Sequence, residues 1–395
     1  MLFKWEVSSI FKRYFLFIFI LLLVSCAENN ISKQPIEKQE QVTPPIQKEP
    51  EIYTATINAI GDILIHEPIY QEAYIGNNQY NFSDMFAQVK PYLEKADITI
   101  ANSESIIGGQ EIGLSSYPQF NSPYEIGDVL KEVGVDVVNM ANNHTLDRGE
   151  EAIQNATNYW NKLGITYIGA STSYDEAEQI KTLTVNQITF SFLGYTYGTN
   201  GLQVPEGKDY LVNYIDEEKM KKDIEKAKEI SDIIVLNLHM GDEYSRNQNE
   251  DQEKIAQLAA DLGVHIILFH HSHVLQPVKW YTGNTGNQTF AIHSLGNFLS
   301  SQDELYRQIG ALLELDVKKT ITYDKEGKPN TTVEINHPKL LPTYVKFQNW
   351  RNYEIIPLYL VTEEQLPNAK MIYDEIKTHM SQYVTNLQFI EYASK

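Results

Sequence analysis

The 395 residues contain ten histidines, and they are not spread evenly. Eight lie between positions 66 and 293, and seven of these stand at or just past the end of an apolar, strand-like run; within that span only His265 departs. Gly61-Asp62 follows the run 53–60, with His66 close behind. Ser103-Glu104 follows 97–102, and Asn142, Asn143, His144 and Asp147 follow 136–141. His239, in HMGDEY, follows 232–238, and His270, His271 and His273 follow 264–269. His293 and Asn297, in HSLGNF, follow 289–292. Carboxylates, imidazoles and a carboxamide are the ligands a pair of divalent ions needs. Two such ions about 3.5–4 Å apart share a bridging carboxylate, polarise a phosphoryl or carbonyl oxygen, and acidify a bound water. His271-Ser272-His273 can direct two imidazoles at neighbouring metals. Asn143 offers a neutral carbonyl ligand, and His144 beside it a proton for a leaving oxygen. A lone histidine is usually structural; polar groups at six separate strand ends are hard to attribute to chance.

Among the elements that carry these residues, YTATINAI (53–60) alternates and is rich in β-branched residues, as strands are. The runs 97–102, 136–141, 232–238, 264–269 and 289–295 read as further strands. Between them, 125–134, 150–164, 216–231 and 249–263 carry helical spacing, three of the four ending in glycine. Strands alternating with helices of this length predict an α/β fold with substantial parallel sheet. In such a sheet the C-terminal strand ends converge on one edge, where ligands bind. A hairpin is expected over 182–195 around Asn186-Gln187. Two alternating strands with a turn at Lys325–Pro329 predict an antiparallel addition to the sheet, completing a domain over 53–362, and 363–395 reads as a C-terminal helical cap.

Other residues have plainer readings. Asp147-Arg148-Gly149 is expected to cap the next helix, since aspartate is favoured there. Asp242 and Glu243 are read either as solvated loop residues or as part of the crevice, and Tyr244 as a residue that could line a substrate groove. Gly296 reads as the pivot of a tight turn, with His293 and Asn297 beside the crevice.

Lys4, Lys12 and Arg13 precede the apolar run 14–24, which is short for a bilayer span and suits a signal peptide. It ends in Leu23-Val24-Ser25-Cys26, which resembles a bacterial lipobox, so residues 1–25 are expected to be removed and Cys26 lipidated. Residues 26–52 are polar, with four prolines and no aromatic: a disordered tether from the outer face of the cell membrane. Cys26 is the only cysteine, so no disulfide can form within the chain and any metal must take nitrogen and oxygen ligands. The net charge is −20, and residues 1–25 contribute +2, leaving about −22 for the rest. That excludes a nucleic-acid partner, which needs a basic surface, and disfavours broad capture of a polyanion.

GD (61–62), NSE (102–104), ANNHTLDRG (141–149), HMGDEY (239–244), HHSHVLQP (270–277) and HSLGNF (293–298) resemble, in order and spacing, the CapA-type capsule-biosynthesis proteins linked to poly-γ-glutamate. These are relatives of the calcineurin-like metallophosphatases. The resemblance spans roughly 55–300 and implies a metallophosphatase-like αββα sandwich with mixed sheets and a metal site at the strand C-terminal ends. It implies that Asp62 ligates a first metal and that Glu104 stands where the bridging aspartate is usual. Asn143, His239 and His271 would then serve the second metal, His273 the first, and His144 would be the general acid. The cofactor implied is a divalent metal (Mn, Fe or Zn), dinuclear if complete. The chain departs from the pattern at Leu64, where an Asp-x-His histidine is usual, leaving the first metal one ligand short unless His66 bends back to act there. Phe269 and Ser272 replace a usual glycine and proline. Two readings follow: a metal-dependent hydrolase or transferase acting on a phosphoester or an amide at the cell envelope, with an anionic polymer or a phosphoester as its substrate, and a non-catalytic scaffold among membrane polymer-synthesis or export subunits.

Overall fold

The computed structural model describes residues 48–392. The expected signal peptide, the lipidation site Cys26 and nearly all of the tether lie outside the described residues. In chain order the strands are β1 (Glu51–Ile63), β2 (Tyr74–Gly76), β3 (Gln79–Tyr80), β4 (Ile98–Ser103), β5 (Val137–Asn139), β6 (Thr166–Ile168), β7 (Lys181–Val185), β8 (Ile188–Thr196) and β9 (Ile233–His239). They continue as β10 (Ile266–His270), β11 (Leu275–Thr282), β12 (Gln288–Leu295), β13 (Asn297–Leu299), β14 (Ile309–Tyr323), β15 (Pro329–Gln348), β16 (Arg351–Pro357) and β17 (Gln388–Phe389).

Two mixed sheets result. The first runs β16-β15-β14-β1-β4-β5-β6, with β13 also on β1 and β17 on β15. Its β1, β4, β5 and β6 are parallel, while β14, β15 and β16 add antiparallel strands. The second runs β11-β12-β10-β9-β8-β7. Its β8, β9, β10 and β12 are parallel and only the edges β7 and β11 are antiparallel. The β7–β8 turn falls on Asn186 and Gln187, both in the left-handed region that a two-residue hairpin demands.

Period-2 alternation assigns each strand residue to a layer. Ile57, Ile100 and Val137 of the first sheet pack against Phe190, Val235 and Leu268 of the second in one inter-sheet cluster. Their neighbours Ile60, Ala101 and Val138 face outward, onto helices Glu125–Glu132 and Gly149–Leu163. Ile234, Leu236 and Ile267 face the other way, onto helices Glu217–Ile230 and Glu250–Asp261. The layers are therefore helix, sheet, sheet, helix. Helix Gly149–Leu163 shows the local logic: its buried stripe carries Ala152, Ile153, Ala156 and Trp160, and Gly164 ends it in a left-handed conformation. Burying each large apolar side chain contributes about 2–3 kcal/mol. Helix Ala369–Met380 adds Ile372, Tyr373, Ile376 and Met380 to the inter-sheet cluster.

The inter-sheet layer is apolar until it reaches the C-terminal ends of the parallel strands. There the same inward phase turns polar. After Ile98 and Ile100 comes Asn102; after Val137, Asn139; after Ile233 and Val235, Asn237 and His239; after Ile266 and Leu268, His270. In β1 the register slips between Ile60 and Asp62, which brings Asp62 beside Asn102. The sheets approach closely here. A Cβ on Gly194 would lie 2.4 Å from Asn139 Oδ1, and one on Gly61 would lie 1.9 Å from the Gly296 carbonyl oxygen.

Candidate metal centre

Asp62 and Glu104 are fully buried, as is His239, and His270 and His273 are nearly so. Asn102 Nδ2 donates to Asp62 Oδ1 at 2.8 Å, and Asn139 Nδ2 donates to Asn102 Oδ1 at 3.0 Å. This line of asparagines along the polar row fixes the carboxylate from one side. On the other side His273 Nδ1 lies 3.2 Å from Asp62 Oδ2 and 3.1 Å from Asn297 Oδ1. His239 Nε2 sits 2.8 Å from Asn143 Oδ1 and 3.5 Å from Glu104 Oε1, while His273 Nε2 is 3.7 Å from the same Glu104 oxygen.

Two groups of potential ligands emerge, Asp62–Glu104–His273 and Glu104–His239–His271, with ligand atoms within 4.8 Å of one another in each. Glu104 belongs to both, the position of a bridging carboxylate. The residues fit a divalent cation on their own chemistry. Neither Glu104 oxygen has a hydrogen-bond partner, nor does His271 Nδ1, although all are buried. Burial, reinforced by the Asp62 charge, pushes the Glu104 carboxyl well above its usual range. Burial also pushes His239 down, and His271 down to about 4. Burial opposes both opposite shifts. The His270 and His273 imidazoles nevertheless hold Asp62 well below its usual range, and the Glu104 and Asp62 carboxylates raise His273 to about 9. A buried pair of carboxyls that cannot both ionise is short of positive charge, which is what a bound cation supplies.

Backbone strain gathers at the same place. Tyr244, His271 and His273 all have positive φ, at 64°, 95° and 59°. Bulky side chains rarely adopt this conformation, and it persists where the surroundings over-determine it. It turns the two imidazoles of one short loop toward different ligand groups. Arg307 lies 3.5 Å over the Tyr244 ring.

Above the ligands opens a crevice of about 520 Å³, lined by His66, Phe120, Asn143, His144, Glu243 and Tyr244 among others. His144 Nδ1 donates to Asp147 Oδ2 at 2.7 Å, since the carboxylate can only accept, and the same oxygen accepts from the Phe120 amide at 2.6 Å. The His144 ring also packs edge-on against Phe120, with centroids 4.7 Å apart. This leaves Nε2 as the free nitrogen of a ring held in place from two sides.

The structure thus brings Asp62, Glu104, His239, His271 and His273 together, with Asn143 and Asn297 in contact with two of the imidazoles. Three expectations need correction. Asp147 does not cap the following helix: the N-cap is Arg148, with no side-chain cap bond, because Asp147 is taken up by His144 and Phe120. His293 is not at the crevice: its odd position in β12 points outward, where it stacks on Phe269 and bonds Tyr281 and the Pro277 carbonyl. His66 lines the crevice wall but does not bend back to the ligands: its Nδ1 is 3.0 Å from the Leu64 carbonyl and its ring packs on Phe120. Sequence reasoning passed over Asn102 and gave His270 no role. Their signal was strand phase, since both continue an inward row.

Comparison with known proteins agrees in direction. Residues 56–302 match the family described as bacterial capsule synthesis protein PGA_cap. The chain is 27% identical over 295 residues to the capsule biosynthesis protein CapA of Bacillus anthracis, covering 72% of this chain and 68% of that protein. It is 28% identical over 277 residues to the PGA biosynthesis protein CapA of Bacillus subtilis (strain 168), covering 68% and 70%. A solved Staphylococcus aureus structure of a candidate 5′-nucleotidase overlays with a TM-score of 0.40 at 16% identity, over 81% of this chain and 58% of that one.

Proposed function

Because the chain belongs to the bacterial capsule synthesis protein family PGA_cap, we propose that it acts in the synthesis, export or anchoring of a poly-γ-glutamate-like envelope polymer through a metal-dependent hydrolase- or transferase-like site. The observation that carries the catalytic part is Glu104, a buried carboxylate common to two ligand groups with both oxygens unmatched. Asp62 and His273 would hold one divalent ion with Glu104, and His239 and His271 the other, with Asn143 beside them. Ions so held polarise a phosphoryl or carbonyl oxygen and supply a nucleophile at neutral pH.

This chain's own residues supply the rest. Asn102 and Asn139 keep Asp62 in place. Asp147 accepts from His144 Nδ1 and fixes the ring, so His144 Nε2 faces the crevice as a proton donor to a leaving oxygen. Phe120 keeps one flank of that ring dry. A lipid on Cys26 would anchor the protein at the outer face of the membrane, near polymer synthase or export subunits. Among the described residues no helix is long and apolar enough to cross a membrane.

A scaffold role without catalysis is the competing reading, and Leu64, where a ligand is missing, favours it. Purified full-length chain decides between them. Bound Mn, Fe and Zn are measured by mass spectrometry, and hydrolysis of a generic phosphodiester and of poly-γ-glutamate is followed with and without Mn²⁺. Metal with activity that disappears in His271→Ala supports catalysis. Metal-free, inactive protein that still restores polymer export in a deletion strain supports the scaffold.

A further inference from the structure

His270 is a buried side chain that touches Asp62 but has no place among the ligands assigned above. It is 1% exposed, and neither ring nitrogen has a hydrogen-bond partner. Each polar group left dry costs about 1–3 kcal/mol, so a native fold keeps such a residue where an ion or another group serves it. Its direction is set by the backbone. Ile266 and Leu268 point into the inter-sheet cluster, and His270 continues their phase. That brings Nδ1 to 3.5 Å from Asp62 Oδ1.

Asp62 belongs to the ligand group with Glu104 and His273, which holds one imidazole where the Glu104–His239–His271 group holds two. Leu64 occupies the position that would have supplied a second, and His66 is turned to the Leu64 carbonyl. We propose that His270 is the second imidazole of the Asp62–Glu104–His273 site, replacing the missing first-strand histidine. The inference rests on the metal-centre reading above. His270 lies outside the compact ligand group as it stands, but a ring that makes no hydrogen bond can swing toward Asp62 and Glu104 without breaking one.

The test compares full-length wild type, His270→Leu and His66→Leu, each stripped with EDTA and titrated with Mn²⁺ alone. Bound Mn per chain is read by mass spectrometry, affinity by calorimetry, and Tm in EDTA by thermal unfolding. Wild type and His66→Leu are expected to hold two Mn per chain. His270→Leu is expected to hold one, its other site weakened at least about 100-fold, with Tm in EDTA unchanged or higher because a dry imidazole has gone. His270→Leu retaining two Mn at wild-type affinity overturns the inference. So does a lowered Tm in EDTA with two Mn retained, which marks a packing role. Wild type that binds no Mn overturns the metal-centre reading itself, and this inference with it. If His270→Leu does not fold, His270→Gln carries the same expectations.

Discussion

Replacing Glu104 by leucine should stabilise the metal-free protein and destabilise the metal-loaded one. In the absence of a cation Glu104 is a liability: it is fully buried and both oxygens lack partners. Its compensation is two imidazoles whose nearest nitrogens lie at 3.5 and 3.7 Å. A buried unsatisfied polar group costs about 1–3 kcal/mol, and an apolar side chain of similar size removes that cost without opening a cavity. Allowing for the lost attraction to His239 and His273, the gain is about 2 kcal/mol. At about 1–2 °C per kcal/mol for a domain of this size, Tm in EDTA should rise by about 2–4 °C. With Mn²⁺ at a hundred times Kd, each site adds about 2.7 kcal/mol to the wild type. Two sites add about 5 kcal/mol and a Tm rise of about 5–10 °C. Glu104→Leu removes a ligand from both sites and should gain almost nothing from Mn²⁺. The order of stability therefore inverts between EDTA and Mn²⁺, which differential scanning calorimetry reads directly. A variant less stable than wild type in both conditions, or one with an undiminished response to Mn²⁺, would refute the reasoning.

Three further outcomes are expected. Asp147→Asn should lower phosphodiester turnover by about 10²–10³-fold and distort its pH profile, while bound metal stays at the wild-type level, because Asp147 acts through His144 and touches no ligand group. Gly194→Ala should cost about 1–3 kcal/mol, measured by urea unfolding, since the added Cβ meets Asn139 Oδ1 at 2.4 Å beneath the site. Burial pushes His265 down to about 4, and its Nδ1 accepts from the Ile234 amide at 3.1 Å, so the folded protein holds it neutral. The stability it contributes is present above about pH 6.5 and is lost as pH falls toward 4. After discounting for its partial exposure this amounts to about 2 kcal/mol. His265→Asn keeps an acceptor near Nδ1 but cannot charge, so its acid unfolding curve should be flatter than wild type between pH 6.5 and 4.

Much of the fold was legible because alternation and glycine stops are local signals. The six core strands, the four helices between them, the Asn186-Gln187 hairpin and the long antiparallel addition all follow from spacing. Within each sheet the gathering of strand ends follows too, Asp62 with Glu104 in the first and His239 with His271 and His273 in the second; that the two sheets face each other with those ends together was implied only by the family resemblance. What escaped depended on which way a side chain points and on partners far along the chain. His293 carries the right residue type at the right strand end, yet lies on the wrong face of β12. Asp147 has the composition of a helix cap, and only the fold shows that His144 and Phe120 claim its carboxylate. His270 and Asn102 stood inside the quoted motifs without a role, because single-letter motifs record order without recording phase.

The most direct test is a crystal of the Mn²⁺-soaked protein, with anomalous difference density collected at the metal's absorption edge. The account predicts two peaks flanking Glu104, one toward Asp62 and His273 and the other toward His239 and His271. An empty site, or a single peak that does not touch Glu104, would contradict it.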